Sequence, residues 1–251
     1  MSLLFSKYQG AGNDFILVDD RFPSYALDTL VIRKMCHRRY GIGADGVIVL
    51  CPSSQHHYKM RIFNADGSEV EMCGNGLRCL IRFIQDLGAE QGPWQIETMN
   101  SVYTCRVDTK GKVAIDMGEP VIRSASGPEY YIDVGVPHFV IFTRDLSRFD
   151  QEAKATFSRL GININYVRLE ADGHLSMRTF ERGVGETFSC GTGASAACAA
   201  AAHFFGISGI IDVKFVKDNV KLSVNVIMDN NKVKQLCMSG DTSHVYSGEW
   251  K

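Results

Sequence analysis

The chain has 251 residues, enough for one large domain or two small ones and for a sizeable core without disulfide staples. Its 27 Lys and Arg against 28 Asp and Glu leave a net charge of −1, which argues against a nucleic-acid or anionic-membrane surface as the main partner. Apolar content of 45% and charged content of 22% are those of an ordinary folded protein, and the eight cysteines are the unusual feature.

The start of the chain, Met1 to Lys7, has no basic segment leading into a long apolar stretch, so no signal peptide is expected. The longest apolar run begins at Ala196, is mostly Ala and is broken by His203 and Gly206, which does not make a membrane span. The expectation is a cytoplasmic protein with reduced thiols. In chain order, a short helix is predicted over Leu30–Arg39, then strands over Val47–Cys51 and Tyr58–Phe63. Leu77–Leu87 places Leu77, Leu80, Ile81, Ile84 and Leu87 on one helical face, with Gly88 as its terminator. Strands follow at Trp94–Thr98, Val102–Val107 and Lys112–Met117, the last two joined by a turn at Lys110-Gly111. Gly118-Glu119-Pro120 marks a boundary between halves. The second half reads as strands at Tyr130–Val134, His138–Phe142, Tyr166–Glu170, Leu175–Thr179, Ile210–Val216, Val220–Ile227 and Val233–Met238. Its helices are an ordinary surface helix at Glu152–Leu160 and one apolar on all sides, hence buried, at Ala194–Phe205.

The halves share an echo. Cys73-Gly74-Asn75-Gly76 runs into the helix at Leu77, and Cys190-Gly191-Thr192-Gly193 runs into the helix at Ala194, an offset of 117 residues. This reads as a duplicated α/β unit with one cysteine at each helix N-terminus. First-turn N–H groups have no intrahelical acceptors and carry partial positive charge, so a thiolate is favoured there and a carboxylate can bind beside it. The glycines would let a ligand approach the backbone. Two such thiols on opposite faces of one carbon can remove a proton and return another, which is stereoinversion without a cofactor. The charge that builds on a carboxylate during α-proton abstraction is what helix-end N–H groups can stabilise. The Lys of a phosphate loop is absent, and no metal-ligand spacing is present: His56-His57 and Cys36-His37 are adjacent pairs whose side chains point apart. Cys79 and Cys198 read as packing residues.

These residues resemble a family. Arg61-Ile62-Phe63-Asn64-Ala65-Asp66-Gly67-Ser68-Glu69, leading to Met72-Cys73-Gly74-Asn75-Gly76-Leu77-Arg78-Cys79, is similar to the first signature of diaminopimelate epimerases. Glu181-Arg182-Gly183-Val184-Gly185-Glu186-Thr187, leading to Cys190-Gly191-Thr192-Gly193-Ala194, is similar to the second, and Gly10-Ala11-Gly12-Asn13-Asp14-Phe15 also matches. The resemblance implies an α/β (α+β type) fold of two pseudo-symmetric domains, each an antiparallel, barrel-like sheet around a central helix, with substrate bound in the cleft between them. The domains would be 1–118 plus 241–251, and 119–240. It implies a homodimer that needs no cofactor and interconverts LL- and meso-diaminopimelate for lysine and peptidoglycan synthesis. Cys73 and Cys190 would exchange thiol and thiolate roles, with His138 and Glu181 beside the reacting centre. Asn13, Asn64 and Asn163 match substrate-contacting amides, and Gly74-Asn75 and Gly191-Thr192 match the anion-binding helix ends. Arg182 matches the arginine that grips the distal carboxylate, where a bidentate pair is chemically apt. Read singly, Asn64 is the residue before an Asp66-Gly67 turn, His138 a strand-edge histidine and Arg182 a solvated charge.

One position departs from the pattern. Where the family usually has Gly-Asn-Pro-His, this chain has Gly135-Val136-Pro137-His138, and Val136 offers no side-chain hydrogen bond. Losing one such bond to a charged group costs about 1.5–3 kcal/mol if the partner stays unpaired. The departure opens an alternative expectation, a broader acidic amino-acid racemase or epimerase that accepts glutamate.

Overall fold

The structure, a computed structural model, describes residues 2–89, 92–108, 111–182 and 184–251. Lys110 of the expected hairpin turn and Gly183 of the second signature lie outside the described residues. The chain divides into two compact units, Met1–Ile115 with Gly240–Lys251, and Asp116–Ser239.

The first unit contains β1 (Leu3–Gly10), β2 (Asn13–Asp19), α1 (Thr29–Cys36), β3 (Gly46–Cys51), β4 (Tyr58–Asn64), β5 (Glu69–Val70), α2 (Gly74–Asp86), β6 (Trp94–Glu97), β7 (Val102–Val107) and β8 (Val113–Gly118), in the last of which the division falls. The second unit continues with β9 (Val121–Ser126), β10 (Glu129–Asp133), β11 (Pro137–Phe142), α3 (Arg148–Leu160), β12 (Asn163–Leu169), β13 (Leu175–Glu181), β14 (Gly185–Thr187), α4 (Gly191–Phe205), β15 (Gly209–Phe215), β16 (Val220–Asp229) and β17 (Lys232–Gly240). The last strand, β18 (Thr242–Trp250), returns to the first unit and pairs antiparallel with β1.

Each unit repeats one pairing scheme. In the first, β1 pairs antiparallel with β18 and β2, β2 runs parallel to β3, β3 antiparallel to β4, β4 parallel to β6, and β6, β7 and β8 are antiparallel neighbours. In the second, β10 pairs antiparallel with β9 and β11, β11 runs parallel to β12, β12 antiparallel to β13, β13 parallel to β15, and β15, β16 and β17 are antiparallel neighbours. The short strands β5 and β14 cap the ends of β4 and β13 in the same way. The tetrapeptide echo is thus the visible remnant of a duplication spanning the whole unit, and the sheets are antiparallel with two parallel joins each.

The parallel joins need crossovers, and helices supply them. α1 and α3 cover one face of their sheets. Ile32, Met35 and Cys36 join Ile16, Val18, Val47 and Val49 in one core, and Phe149 and Ala153 join Ile141, Ile164 and Tyr166 in the other. The opposite faces wrap the central helices: α2 packs on β18, β1, β2, β3, β4 and β7, and α4 on β10, β11, β12, β13 and β16. With helices on both sides, β3 is buried along nearly its whole length, which explains why Val47–Cys51 is continuously apolar. In α4 every residue from Gly191 to Ala202 is buried, and the run of alanines lets the surrounding strands close in. Gly161 and Gly206, both left-handed, end α3 and α4, so both helices stop at the residues where their predicted spans stop. No helix among the described residues is long and apolar enough to cross a membrane.

Candidate active site

Both central helices begin three residues earlier than their apolar pattern suggested. Gly74 and Gly191 are the first helical residues, and Cys73 and Cys190 are the N-caps, extended at φ −139° and −138°. Glycine is a poor helix former, so periodicity shows these helices only from Leu77 and Ala194. The consequence is chemical: each thiol sits at the mouth of the first turn, where the N–H groups lack intrahelical acceptors.

In the first unit, the Cys73 thiol donates to Asn13 Oδ1 at 3.7 Å, and Asn13 Nδ2 donates to Asp45 Oδ2 at 2.7 Å. Asn13 is placed there by the turn between β1 and β2, where Ala11 and Gly12 both have positive φ. Asp45 is tied to Arg38, which also grips Asp14, while the buried Lys7 pairs with Asp14 at 2.8 Å and donates to the Gly43 carbonyl. Burial works to raise the Asp14 carboxyl, but hydrogen bonds from Arg38 and Lys7 outweigh it and hold the group well below the usual carboxylate range. Within α2, the fully buried Arg78 donates to Asn75 Oδ1 at 2.8 Å and to the Gly74 carbonyl at 3.4 Å, bracing the first turn. Asn64 is exposed and bonds Ser68 Oγ across the Asp66-Gly67 turn, the role it has when read singly. Gly67 is required in that turn, because its φ is +85° and a Cβ there would meet the Thr29 backbone.

The second unit surrounds its thiol differently. Cys190 Sγ accepts from the Gly193 N–H at 3.4 Å and lies 3.4 Å from Thr192 Oγ1. Glu181 takes a hydrogen bond from the same thiol and one from the Thr187 hydroxyl. Thr192 Oγ1 is 2.9 Å from His138 Nε2, and His138 Nδ1 is 3.0 Å from Asn165 Nδ2. Asn163 Oδ1 accepts from the Arg182 backbone N–H at 3.0 Å; the Arg182 side chain is exposed and makes no ion pair among the described residues. Val136 is half-buried in the loop after the left-handed Gly135.

At Cys190 the electrostatics differ from the expectation of a helix-end thiolate. Burial, followed by the charge of Glu181, pushes the Cys190 thiol well above the ordinary cysteine value, outweighing Thr192 and the Gly193 N–H. Burial also raises the Glu181 carboxyl, against its hydrogen bonds from Thr187 and Cys190. Burial thus disfavours the anionic form of both groups, and each is the other's hydrogen-bond neighbour. His138 is fully buried, and desolvation pushes its imidazole down to about 3, so it is neutral and touches Cys190 only through Thr192. Cys79 and Cys198 are fully buried and desolvation raises both thiols, Cys79 to about 12, consistent with packing.

Sequence reading missed Arg78, Asn165, Thr179 and Thr187 as parts of these surroundings. The available signal for Asn165 and Thr179 was the 117-residue offset, which sets them against Ile48 and Ile62 of the first unit.

The diaminopimelate epimerase family model matches residues 5–123 and 130–245, nearly the whole chain. The chain belongs to the diaminopimelate epimerase family. A Synechococcus sp. (strain JA-2-3B'a(2-13)) protein named diaminopimelate epimerase is 36% identical over 282 aligned residues, covering 98% of this chain and 97% of its own. A protein of the same name from Synechocystis sp. is also 36% identical, with 99% of each chain covered. Among solved structures, a PhzF-family phenazine biosynthesis protein from Bacillus anthracis superposes with a TM-score of 0.78 at 17% identity, covering 100% of this chain and 99% of its own. A hydroxyproline epimerase from Agrobacterium vitis superposes with a TM-score of 0.71 at 14% identity, covering 99% and 92%. These two likenesses show a shared fold. Membership makes the chain an isomerase of a family of diaminopimelate epimerases that work without pyridoxal phosphate.

Proposed function

We propose that the protein interconverts LL- and meso-diaminopimelate by a cofactor-independent two-base reaction, serving lysine and peptidoglycan synthesis. The observation that carries the reading is the repetition: two thiols in matching Cys-Gly-X-Gly N-caps, each at the mouth of a helix whose first-turn N–H groups lack intrahelical acceptors. One sulfur, as thiolate, takes the α-proton. The other, as thiol, gives a proton to the opposite face of the carbon. The substrate leaves inverted, with thiol and thiolate exchanged between Cys73 and Cys190. Helix-end N–H groups meet the negative charge that develops on the substrate carboxylate. When Cys190 must act as base, Glu181 is the group that accepts its proton. Asn13, Asn64 and Asn163 are assigned to substrate contacts, Gly74-Asn75 and Gly191-Thr192 to the carboxylate at the helix ends, and Arg182, with its exposed guanidinium, to the distal carboxylate.

The expected result is that Cys73→Ala and Cys190→Ala each lower epimerisation of LL-diaminopimelate by about 10²–10⁴-fold, the span for losing a positioned acid or base. Full activity in either variant would overturn the assignment. Assay of L-glutamate beside LL-diaminopimelate measures specificity. The broader racemase reading rests on Val136 alone, whereas relatives matched over the full chain are named for diaminopimelate. The expected outcome is therefore no glutamate turnover.

A further inference from the structure

Behind Cys190 lies a buried polar chain of four side chains. Thr179 Oγ1 donates to Asn165 Oδ1 at 2.6 Å, Asn165 Nδ2 reaches His138 Nδ1 at 3.0 Å, and His138 Nε2 reaches Thr192 Oγ1 at 2.9 Å. Thr179, Asn165 and His138 each have 0% exposure. Burying polar groups this deeply costs free energy that apolar side chains of similar size avoid, so the chain needs a reason. The first unit shows that the fold does not demand it. There, the residues at the equivalent register positions on β3, β4 and β2 are Ile48, Ile62 and Phe15, all buried and packed beneath Gly76. In the second unit the same place beneath Gly193 holds Asn165, Thr179 and His138.

The chain has a defined polarity. The Asn165 amide also reaches the Phe139 carbonyl, at 3.4 Å from Nδ2, so its NH₂ end faces β11 and its oxygen faces Thr179. Asn165 then donates to His138 Nδ1, which must be the unprotonated nitrogen. The hydrogen of the neutral ring is on Nε2 and is given to Thr192 Oγ1. Thr192 Oγ1, already accepting from the ring, turns its own hydrogen toward Cys190 Sγ at 3.4 Å. Gly193 is part of the device: a Cβ there would lie 2.6 Å from Asn165 Oδ1, so this glycine makes room for the asparagine side chain where the sequence suggested room for a ligand.

We propose that Asn165 and Thr179 are positioning residues for Cys190: acting through His138, they fix the hydrogen-bond direction that aims the Thr192 hydroxyl at the sulfur. The donor is in place before the thiolate forms, so the negative charge of the base form meets a hydrogen bond that needs no reorganisation. It opposes the two influences that favour the thiol, burial and the Glu181 carboxylate, which is the titratable group set against the sulfur from β13; from β11 the facing group is the neutral His138. Asn165 and Thr179 touch neither substrate nor sulfur. The inference rests on the proposed epimerisation for its catalytic meaning, but its physical content concerns the thiol alone.

The test has two readouts. Long-range ¹H–¹⁵N correlation on the histidine-labelled, unsubstituted protein reads the ring directly: His138 is expected with Nδ1 unprotonated and Nε2 protonated. An Nδ1–H tautomer or an imidazolium overturns the proposal. Peptide-resolved alkylation by iodoacetamide across pH reads the sulfur. Thr179→Val and Asn165→Leu are expected to slow alkylation of Cys190 by about tenfold or more, the worth of one hydrogen bond to a charged group. They shift its titration upward and leave Cys73 unchanged as the internal control for folding. Thr179→Ser, which keeps the hydroxyl, restores the reactivity. In the epimerase assay the same variants lower kcat with little change in KM. A Cys190 that titrates alike in Thr179→Val and the unsubstituted protein overturns the relay. Absence of turnover in the unsubstituted protein overturns the reaction itself, and the two failures are read in separate experiments.

Discussion

The mouths of α2 and α4 share a backbone and differ in where their polar groups sit. In the first unit the polar support comes from the helix: Arg78 and Asn75 brace the first turn from within, over an apolar floor of Phe15, Ile48 and Ile62. In the second unit Ser195 stands at the position of Arg78 and bonds the Gly191 carbonyl at 3.0 Å. The polar support has moved to the sheet, as His138, Asn165 and Thr179, with Glu181 where the first unit has Asn64. The thiols differ accordingly. Cys73 donates to an amide oxygen, whereas Cys190 sits between a carboxylate that takes its hydrogen and two donors that favour its anion. Duplication supplied two equivalent N-caps, and divergence at a handful of inward-facing positions made them chemically unequal. That inequality suits a reaction in which one sulfur begins as base and the other as acid.

The largest effect that separates the two halves is acid sensitivity. The His138 imidazole is held at about 3 by burial, below its ordinary 6.5. Its neutral form therefore contributes stability that is fully present above pH about 6.5 and is lost as pH falls toward 3. Between about pH 6.5 and pH 4 the second unit should lose on the order of 3 kcal/mol, and His138→Phe, which installs the residue of the first unit, should abolish most of that loss. Asp14 in the first unit has its carboxyl depressed from 3.8, so its contribution is present above that value and lost only at lower pH. Hydrogen exchange during acidification is expected to open α4 before α2. Simultaneous opening would show that His138 does not set the difference.

A smaller contrast lies in the paired glycines. A Cβ at Gly193 would press on Asn165 Oδ1 at 2.6 Å inside a fully bonded buried chain, whereas at Gly76 it would meet the end of Ile48 at 2.9 Å. Gly193→Ala should cost about 1–3 kcal/mol and slow Cys190 alkylation. Gly76→Ala should cost less, about 1 kcal/mol, because the Ile48 tip can turn aside. Equal denaturation midpoints for the two variants would erase the distinction.

How much was legible follows the same division. The duplication and both thiols could be read because Cys-Gly-X-Gly recurs intact at a fixed offset. β3 announced itself through its apolar run, whereas the equally buried Phe15–Val18 of β2 was not read as a strand, and β12 was read only from Tyr166 because Asn163 and Asn165 interrupt its start. β1 escaped because Lys7 occupies an inward position, paired with Asp14, and breaks the alternation on which strand reading depends. β18 and β9 are largely exposed, so backbone pairing with β1 and β10 defines them more than any apolar pattern. Asn165 lies just before the predicted strand Tyr166–Glu170 and Thr179 at the end of Leu175–Thr179, so nothing local in the sequence joins them. The 117-residue offset sets them against Ile48 and Ile62, and the pairing registers and hydrogen bonds then join them into one connected group.

The proposed reaction has two unequal thiols act on the two faces of one carbon, and isotope placement at early times tests it most directly. The unsubstituted protein is given LL-diaminopimelate in D₂O and sampled by mass spectrometry before the reaction reverses. The account predicts one deuterium in the meso product and none in the remaining LL substrate, because the sulfur that removes the proton is not the one that supplies its replacement. Equal deuterium in recovered substrate and product would mean that a single base serves both faces, and would contradict it.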